Sequence, residues 1–274
     1  MQRIGRPVID KVACKIGESF HSRMEPIYHT LKIRARKIVA RHPCPVFYRC
    51  FSMENNYASS FLEKSSLLRE LRGSVSGFLN ENLGHGFEHA EKVAIDAGTL
   101  MIVEGRAAGY SRMYSDRLVL LAQAAALLHD ICRTEEDHAH KGADRAREYL
   151  AGYPFTDTEL NHICRAIYNH EAFKQTLPET SPAGRLVSDC LYDADKFRWG
   201  TDNFSFTLWD MLNFSKVPVS KFVASYPDGI NTLKKIHGTF RTRTGKKHGP
   251  RFIDTGLAIG MELQHVLETE FKLS

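Results

Sequence analysis

An almost wholly apolar run, Leu118-Val-Leu-Leu-Ala-Gln-Ala-Ala-Ala-Leu-Leu128, ends in the pair His129-Asp130, and this junction constrains the chain more than any other feature. A segment so apolar enters a core. An imidazole and an ionised carboxylate carried in with it each cost several kcal/mol unless something pairs with them. A divalent metal is the partner that such a position calls for.

Length and composition limit what that metal can be doing. The 274 residues suffice for one domain with an extension and a sizeable core. A hydrophobic fraction of 43% and a charged fraction of 25% read as an ordinary soluble globular protein. No apolar run reaches the roughly 18 residues of a membrane span. Arg3 and Arg6 stand near the start without a following apolar segment, so no secretory signal is expected and the cytoplasm is the predicted location. Cys14, Cys44, Cys50, Cys132, Cys164 and Cys190 form no CxxC pair and read as free thiols, several packed as small hydrophobes.

The charge is uneven. Residues 1–50 hold 11 Lys and Arg against 3 Asp and Glu, whereas the remaining 224 hold 26 against 29. A basic stretch from Leu31 to Arg41 is followed by His42-Pro-Cys-Pro45, which stops a helix. Residues 1–52 therefore read as a basic N-terminal extension, and the preferred reading is a solvated, weakly ordered one. The alternatives are an amphipathic arm for nucleic acid, anionic lipid or an acidic partner, and a segment upstream of a natural start at Met53.

From residue 54 onward, apolar recurrence at i, i+3, i+4 and i+7 predicts helices at about 58–80, 88–105, 116–129, 140–151, 157–169, 183–197, 204–214, 219–238 and 252–271. Breaks are expected at Gly84-His85-Gly86, Gly152-Tyr153-Pro154, Pro178 to Gly184 and Pro227-Asp228-Gly229. The fold class is all-α.

Polar residues on the inner faces of these helices are the candidates for a site. His89 stands one turn before Val93 on the stripe of Ala90, Val93, Ala94, Ala97, Leu100 and Met101. His140 continues the face of Ala143, Ala146 and Leu150. His170 closes the stripe of Leu160, Ile163 and Ile167, and Asp195 lies one turn after Leu191. A lone histidine on an apolar face is more often a core residue bonded to a backbone carbonyl. Six inward groups in one domain shift that balance. Imidazole and carboxylate without thiolate favour a first-row divalent metal such as Mn, Fe, Co, Ni or Zn.

The order of His89 in Gly-Phe-Glu-His-Ala-Glu-Lys-Val, His129-Asp130 in Ala-Leu-Leu-His-Asp-Ile-Cys-Arg and Asp195 in Tyr-Asp-Ala-Asp-Lys-Phe resembles the HD-domain superfamily of metal-dependent phosphohydrolases, over about residues 80–200. The resemblance implies an HD-domain-like helical bundle over residues 53–274, with 201–274 as a helical C-terminal part. It also implies that His89, His129, Asp130 and Asp195 hold one metal ion, with Asp193 at a helix end or behind the ligands. In some relatives two further histidines hold a second ion bridged by the aspartate. His140 and His170 are the expected pair here, because His138 falls off the inner stripe and is expected in solvent.

A metal with open positions lowers the pKa of bound water from 15.7 to about 7 and polarises a phosphoryl oxygen, so hydrolysis of a phosphate ester is the natural use. Arg133 and Lys196 are candidate cationic groups for the developing charge, with exposed surface charges as the even alternative. Relatives often have Gly-Lys where this chain has Cys132-Arg133. His85 is a candidate proton donor to the leaving oxygen, although a loop role beside Gly84 and Gly86 is preferred.

The expected function is thus hydrolysis of a nucleotide or another small phosphate ester. The alternatives are a mixed-valent di-iron oxygenase and a non-catalytic regulatory or nucleic-acid-associated module. A guanosine tetraphosphate hydrolase is disfavoured, since no Glu-Asp pair of that branch follows His129-Asp130. In the C-terminal part, the basic segment from Arg241 to Pro250 reads as a solvated loop, and Trp199, Phe204, Phe206 and Trp209 read as core packing. Oligomeric state is not addressed by any of these features.

Overall fold

A computed structural model describes residues 26–79, 86–179 and 181–270. Among them there is no strand, and there are twelve α-helices. At the centre lie α5 (Phe87–Ala107) and α6 (Arg112–Leu128), packed on each other and on α9 (Pro182–Phe197), with α8 (Asp157–Tyr168) against α9 and α7 (His138–Leu150) against α8. On the other side of the central pair are α3 (Ser52–Lys64) and α4 (Ser66–Leu79).

The apolar run behaves as its composition demands. Every residue from Leu118 to Leu128 is buried, and Ala122, Ala124, Ala125 and Ala126 leave room for neighbours on all sides. Gln123 sits within this run and donates from Nε2 to the Ala58 carbonyl at 2.8 Å. A Cβ added at Gly98 would lie 2.7 Å from that Nε2, so glycine is what permits α5 to approach here. The five described cysteines, from Cys44 to Cys190, are free thiols, three of them buried.

Several boundaries differ from expectation, each for an identifiable reason. The predicted helix over 58–80 is two helices, broken at Ser65, which has φ −63° and ψ 118°. The expected break at Pro227-Asp228-Gly229 is absent, because α11 (Val219–Ile236) runs through it. An interior proline costs about 3 kcal/mol. Here the buried stripe of Phe222, Tyr226, Ile230, Leu233 and Ile236 outweighs that cost. The basic segment 241–250 is not a solvated loop either: from Arg243 it is the start of α12 (Arg243–Glu270). Its first turn and the two residues before it are held by carboxylates that accept backbone N–H groups, as helix N-termini favour. Asp193 accepts from Arg241 N and Thr242 N at 2.8 Å each and from Thr242 Oγ1 at 2.7 Å, while Glu104 accepts from Thr244 N at 2.7 Å. Burial pushes the Asp193 carboxyl up to about 6 even against those hydrogen bonds.

The largest correction concerns the N-terminal extension. Residues 1–25 lie outside the described residues, but residues 26–52 are not a weakly ordered arm. Helix α1 (Pro26–Val39) buries Tyr28, Leu31, Ala35 and Ile38, and α2 (Val46–Cys50) buries Phe47. The basic side chains turn toward the C-terminal part of the same chain. Lys32 meets Asp210 at 3.0 Å, and Arg36 Nε donates to the Ser205 carbonyl at 3.2 Å. Ser205 belongs to a π-helical turn (Asn203–Thr207) leading into α10 (Leu208–Phe214). Of the aromatics expected in the core, Phe204 and Trp209 are buried. Trp199 and Phe206 are only half-buried, and Arg36 and Lys92 lie over the Phe206 ring at 4.9 and 4.8 Å.

Candidate metal centre

The site forms where α6 ends. His129, its C-terminal cap, turns Nδ1 back to the Ala126 carbonyl at 2.7 Å. A carbonyl only accepts, so Nδ1 carries the proton and Nε2 presents a lone pair to the interior. His170, just past α8, does the same: its Nδ1 donates to Ile167 O at 2.6 Å. Two helix ends thereby fix two imidazoles in the tautomer that a metal requires.

Asp130 lies between two groups of side chains. Its Oδ2 is 3.2 Å from His129 Nε2 and 4.0 Å from His89 Nε2, and its Oδ1 is 3.5 Å from both His138 Nε2 and His170 Nε2. His89 Nε2 stands 3.3 Å from His129 Nε2, and His138 Nε2 stands 3.3 Å from His170 Nε2. Asp195, at the end of α9, faces the first group, with Oδ1 3.4 Å from His89 Nε2 and 3.9 Å from His129 Nε2. All six residues are buried.

This donor set fits a metal. His89, His129 and Asp130 form one buried group with metal-holding geometry, and Asp130, His138 and His170 form another. In the second group His170 Nε2 is an acceptor by its tautomer, and His138 Nε2 accepts from Arg133 Nη1 at 2.9 Å. The Arg133 guanidinium is the cation engaging that lone pair here, so an ion held by His138 and His170 would take its place on His138 Nε2 and release Arg133. Nitrogen and oxygen donors without thiolate suit a first-row divalent ion.

The electrostatics describe a site that draws positive charge, in which a proton on His129 competes for the place of an ion. Burial alone would push His129 down, but the Asp130 and Asp195 carboxylates outweigh it and leave its pKa raised. Burial opposes ionisation of Asp195, yet Lys196, His89 and His129 hold its carboxyl well below the usual range. Burial drives His138 down to about 4, against the pull of Asp130 and helped by His170 and Arg133, so it is a neutral imidazole at pH 7.

His140 is not part of the centre, which corrects the expected pair of His140 and His170. Its side chain is 54% exposed, with Nδ1 3.3 Å from Asp137 and Nε2 3.6 Å from Asp144. His138, expected in solvent, takes the place beside His170, and its Nδ1 faces Glu171 Oε1 at 3.8 Å. Helix α7 begins at His138, after Asp137 in a left-handed conformation (φ 57°). That entry aims His138 at Asp130 and His140 at the acidic surface.

The other candidates divide. Arg133 lies at the site, 3.8 Å from Asp130 Oδ1. Lys196 is not a surface charge: buried, it donates to Asp195 Oδ2 at 2.5 Å and to the His170 carbonyl at 3.0 Å, so it holds two parts of the centre in place. His85 lies outside the described residues.

Sequence reasoning missed Arg198. It is buried one turn past Asp195, paired with Asp96 and with Asp202 (2.6 Å), and donates to the Tyr48 hydroxyl at 2.5 Å. Its position directly after the Asp195-Lys196-Phe197 motif was the available signal. Together with His89, Arg133 and Asp195 it lines a cleft of about 350 Å³ that continues along the π-helical turn, α10 and α11.

The fold and this centre define an all-α protein built around a buried cluster of histidines and aspartates able to hold metal. Residues 86–199 match the family model of the HD domain, the domain that defines the HD-domain superfamily. This superfamily is one of metal-dependent phosphohydrolases. Comparison with curated proteins and with solved structures finds no match. No helix among the described residues is long and apolar enough to cross a membrane.

Proposed function

We propose that the chain hydrolyses a small phosphate ester, with nucleotides among the substrates to be tested, by water activated at the His/Asp centre. The observation that carries this reading is Asp130, whose two carboxylate oxygens face two different pairs of imidazoles. Bound there, a divalent ion supplies a hydroxide-like nucleophile and polarises a phosphoryl oxygen.

The protein's own groups do the remainder. His89, His129, Asp130 and Asp195 would hold one ion and Asp130, His138 and His170 a second. Backbone carbonyls lock the tautomers of His129 and His170, and Lys196 fixes Asp195. Arg133, freed from His138 Nε2 when an ion occupies that nitrogen, and Arg198, held by Asp96 and Tyr48, are the cationic groups lining the cleft that would neutralise a phosphoryl group. The remaining cleft wall is mainly apolar, so a substrate lying against it would displace water and strengthen these interactions.

Metal analysis of the purified protein, coupled to a panel of phosphomonoesters and phosphodiesters, tests the proposal. Turnover that needs the metal and vanishes in Asp130→Ala is expected, and metal-loaded protein inert on the whole panel would refute it. The second ligand group is also what a di-iron oxygenase needs. Iron-dependent oxygen uptake in place of phosphate release would favour that reading.

A further inference from the structure

The cleft beside the centre is divided by chemistry. Its charged lining residues, His89, Arg133, Asp195 and Arg198, belong to the metal-centre side. Beyond them the π-helical turn, α10 and α11 supply Phe204, Leu208, Met211, Phe222, Tyr226 and Leu233, with no charged side chain among the rest of the lining. Besides the Trp199 indole, the polar side chains of that wall are Asn203, Thr207, Ser225, Tyr226 and Thr232, and the last three are used internally, with the Tyr226 hydroxyl donating to Gly260 O at 3.0 Å. Ser225 Oγ donates to Phe222 O at 3.1 Å and Thr232 Oγ1 to Asp228 O at 3.0 Å. A sugar hydroxyl or a base edge buried against this wall would lose hydration with few partners to replace it. An alkyl chain or a hydrocarbon ring loses nothing polar there.

Arg198 supplies an independent observation. It is 6% exposed and lines the cleft, its terminal nitrogens are engaged by Asp96, Asp202 and Tyr48, and its Nε–H has no acceptor among the described residues. A buried guanidinium donor left over beside a metal centre is suited to an anionic oxygen.

We infer that the substrate is amphiphilic: a phosphate ester whose phosphoryl group lies at the His/Asp centre between Arg133 and Arg198, and whose organic part is a hydrocarbon chain or ring lying against the wall from Phe204 to Leu233. This rests on the phosphohydrolase reading and specifies its substrate class. The volume, about 350 Å³, lies in the range of small-molecule sites, so a chain of moderate length fits and a long lipid would protrude.

The test is binding and turnover of n-alkyl phosphates from butyl to decyl, below micelle formation, against glycerol phosphate, a nucleoside monophosphate and inorganic phosphate. Binding is followed by calorimetry and by fluorescence of Trp199, which lines the cleft. Kd should tighten about tenfold for every two methylenes until the wall is filled, and octyl phosphate should bind more tightly than the nucleotide. Met211→Glu, at a 37% exposed position that tolerates charge, should weaken octyl phosphate at least about tenfold and leave inorganic phosphate unchanged. Leu208→Asn is a second variant of the same kind.

Affinity independent of chain length, or a nucleotide bound more tightly than octyl phosphate, would overturn the inference. The two readings fail separately. Chain-length-dependent binding without hydrolysis of any ester would refute the reaction and keep the amphiphile, whereas efficient hydrolysis blind to chain length would do the reverse.

Discussion

The segment from α5 to α9 and the material packed around it solve different problems with different means. In the first, every candidate ligand is placed by a helix end or by one turn of helix: His89 in the first turn of α5, His129 and Asp130 just past α6, His138 at the start of α7, His170 after α8 and Asp195 in the last turn of α9. In the second, the π-helical turn, α10 and α11 contribute the cleft wall, and α1 and α2 brace it and the arginine that caps α9 through contacts between residues far apart in the chain, such as Tyr28 with the Val217 carbonyl and Tyr48 with Arg198. The candidate ligands are local in the chain, whereas the cleft wall is assembled by long-range contacts. A reaction can therefore be read from a short segment, while the molecule it acts on depends on the rest of the chain.

The sharpest way to break that division is to cut the link between the two regions. Asp96→Ala leaves Arg198 buried with its main carboxylate gone, and removing one partner of a buried pair costs about 3 to 5 kcal/mol. Denaturant unfolding should show a loss of that size, and a loss below about 1 kcal/mol would mean that the Asp96–Arg198–Tyr48 network does not join the regions. Within the local region the histidines of α7 make the next largest contrast. His138→Ala should lower turnover or metal affinity by about 100-fold or more, while His140→Ala, at an exposed position, should leave both unchanged. Equal effects of the two would contradict the structure.

Glu171 sharpens the same point at smaller scale. Its carboxylate faces the protonated Nδ1 of His138 at 3.8 Å, so Glu171→Gln should weaken metal binding about tenfold without loss of fold, read by competition with a chelator. Smallest of all is Glu159, which holds Arg117 at 2.6 Å and closes the capping box of α8. The Arg117 guanidinium keeps its carboxyl at about 2, below the ordinary value of 4.5. A depressed carboxyl stabilises the fold above its unfolded pKa and loses that contribution as pH falls through the folded value. Glu159→Gln should therefore cost about 0.2 to 1 kcal/mol at pH 7, with the difference from the parent shrinking below pH 4.5 toward pH 2. A gap that is constant or widens on acidification would contradict this assignment.

The same contrast explains what the sequence disclosed. The ligand order, the buried α6 and the inward positions of His89, His170 and Asp195 were legible because helical periodicity is a local signal. The choice between His138 and His140 was not. At 100° per residue the two lie about equally far, roughly 100°, on opposite sides of the stripe of Ala139, Gly142, Ala143, Ala146 and Leu150. Only the packing of α7 on α8 decides which side faces Asp130, although Asp144, one turn after His140, was a hint of the solvent side. The basic extension misled for a related reason. Its lysines and arginines dominate the composition, but Tyr28, Leu31, Ala35 and Ile38 already repeat at helical spacing, and that apolar stripe, not the charge, determines where α1 goes. Pro227 reads as a break because its cost is local, while the burial that offsets it comes from the rest of the fold.

The central claim is that Asp130 joins two imidazole pairs into one metal centre. Metal stoichiometry by elemental mass spectrometry on the full chain, reconstituted with manganese, iron or zinc and desalted, tests it most directly when parent and Asp130→Ala are compared. The account predicts bound metal in the parent and its loss in Asp130→Ala, with both proteins folded by circular dichroism. A parent that takes up no metal on reconstitution, or an Asp130→Ala protein that retains the full complement, would contradict it.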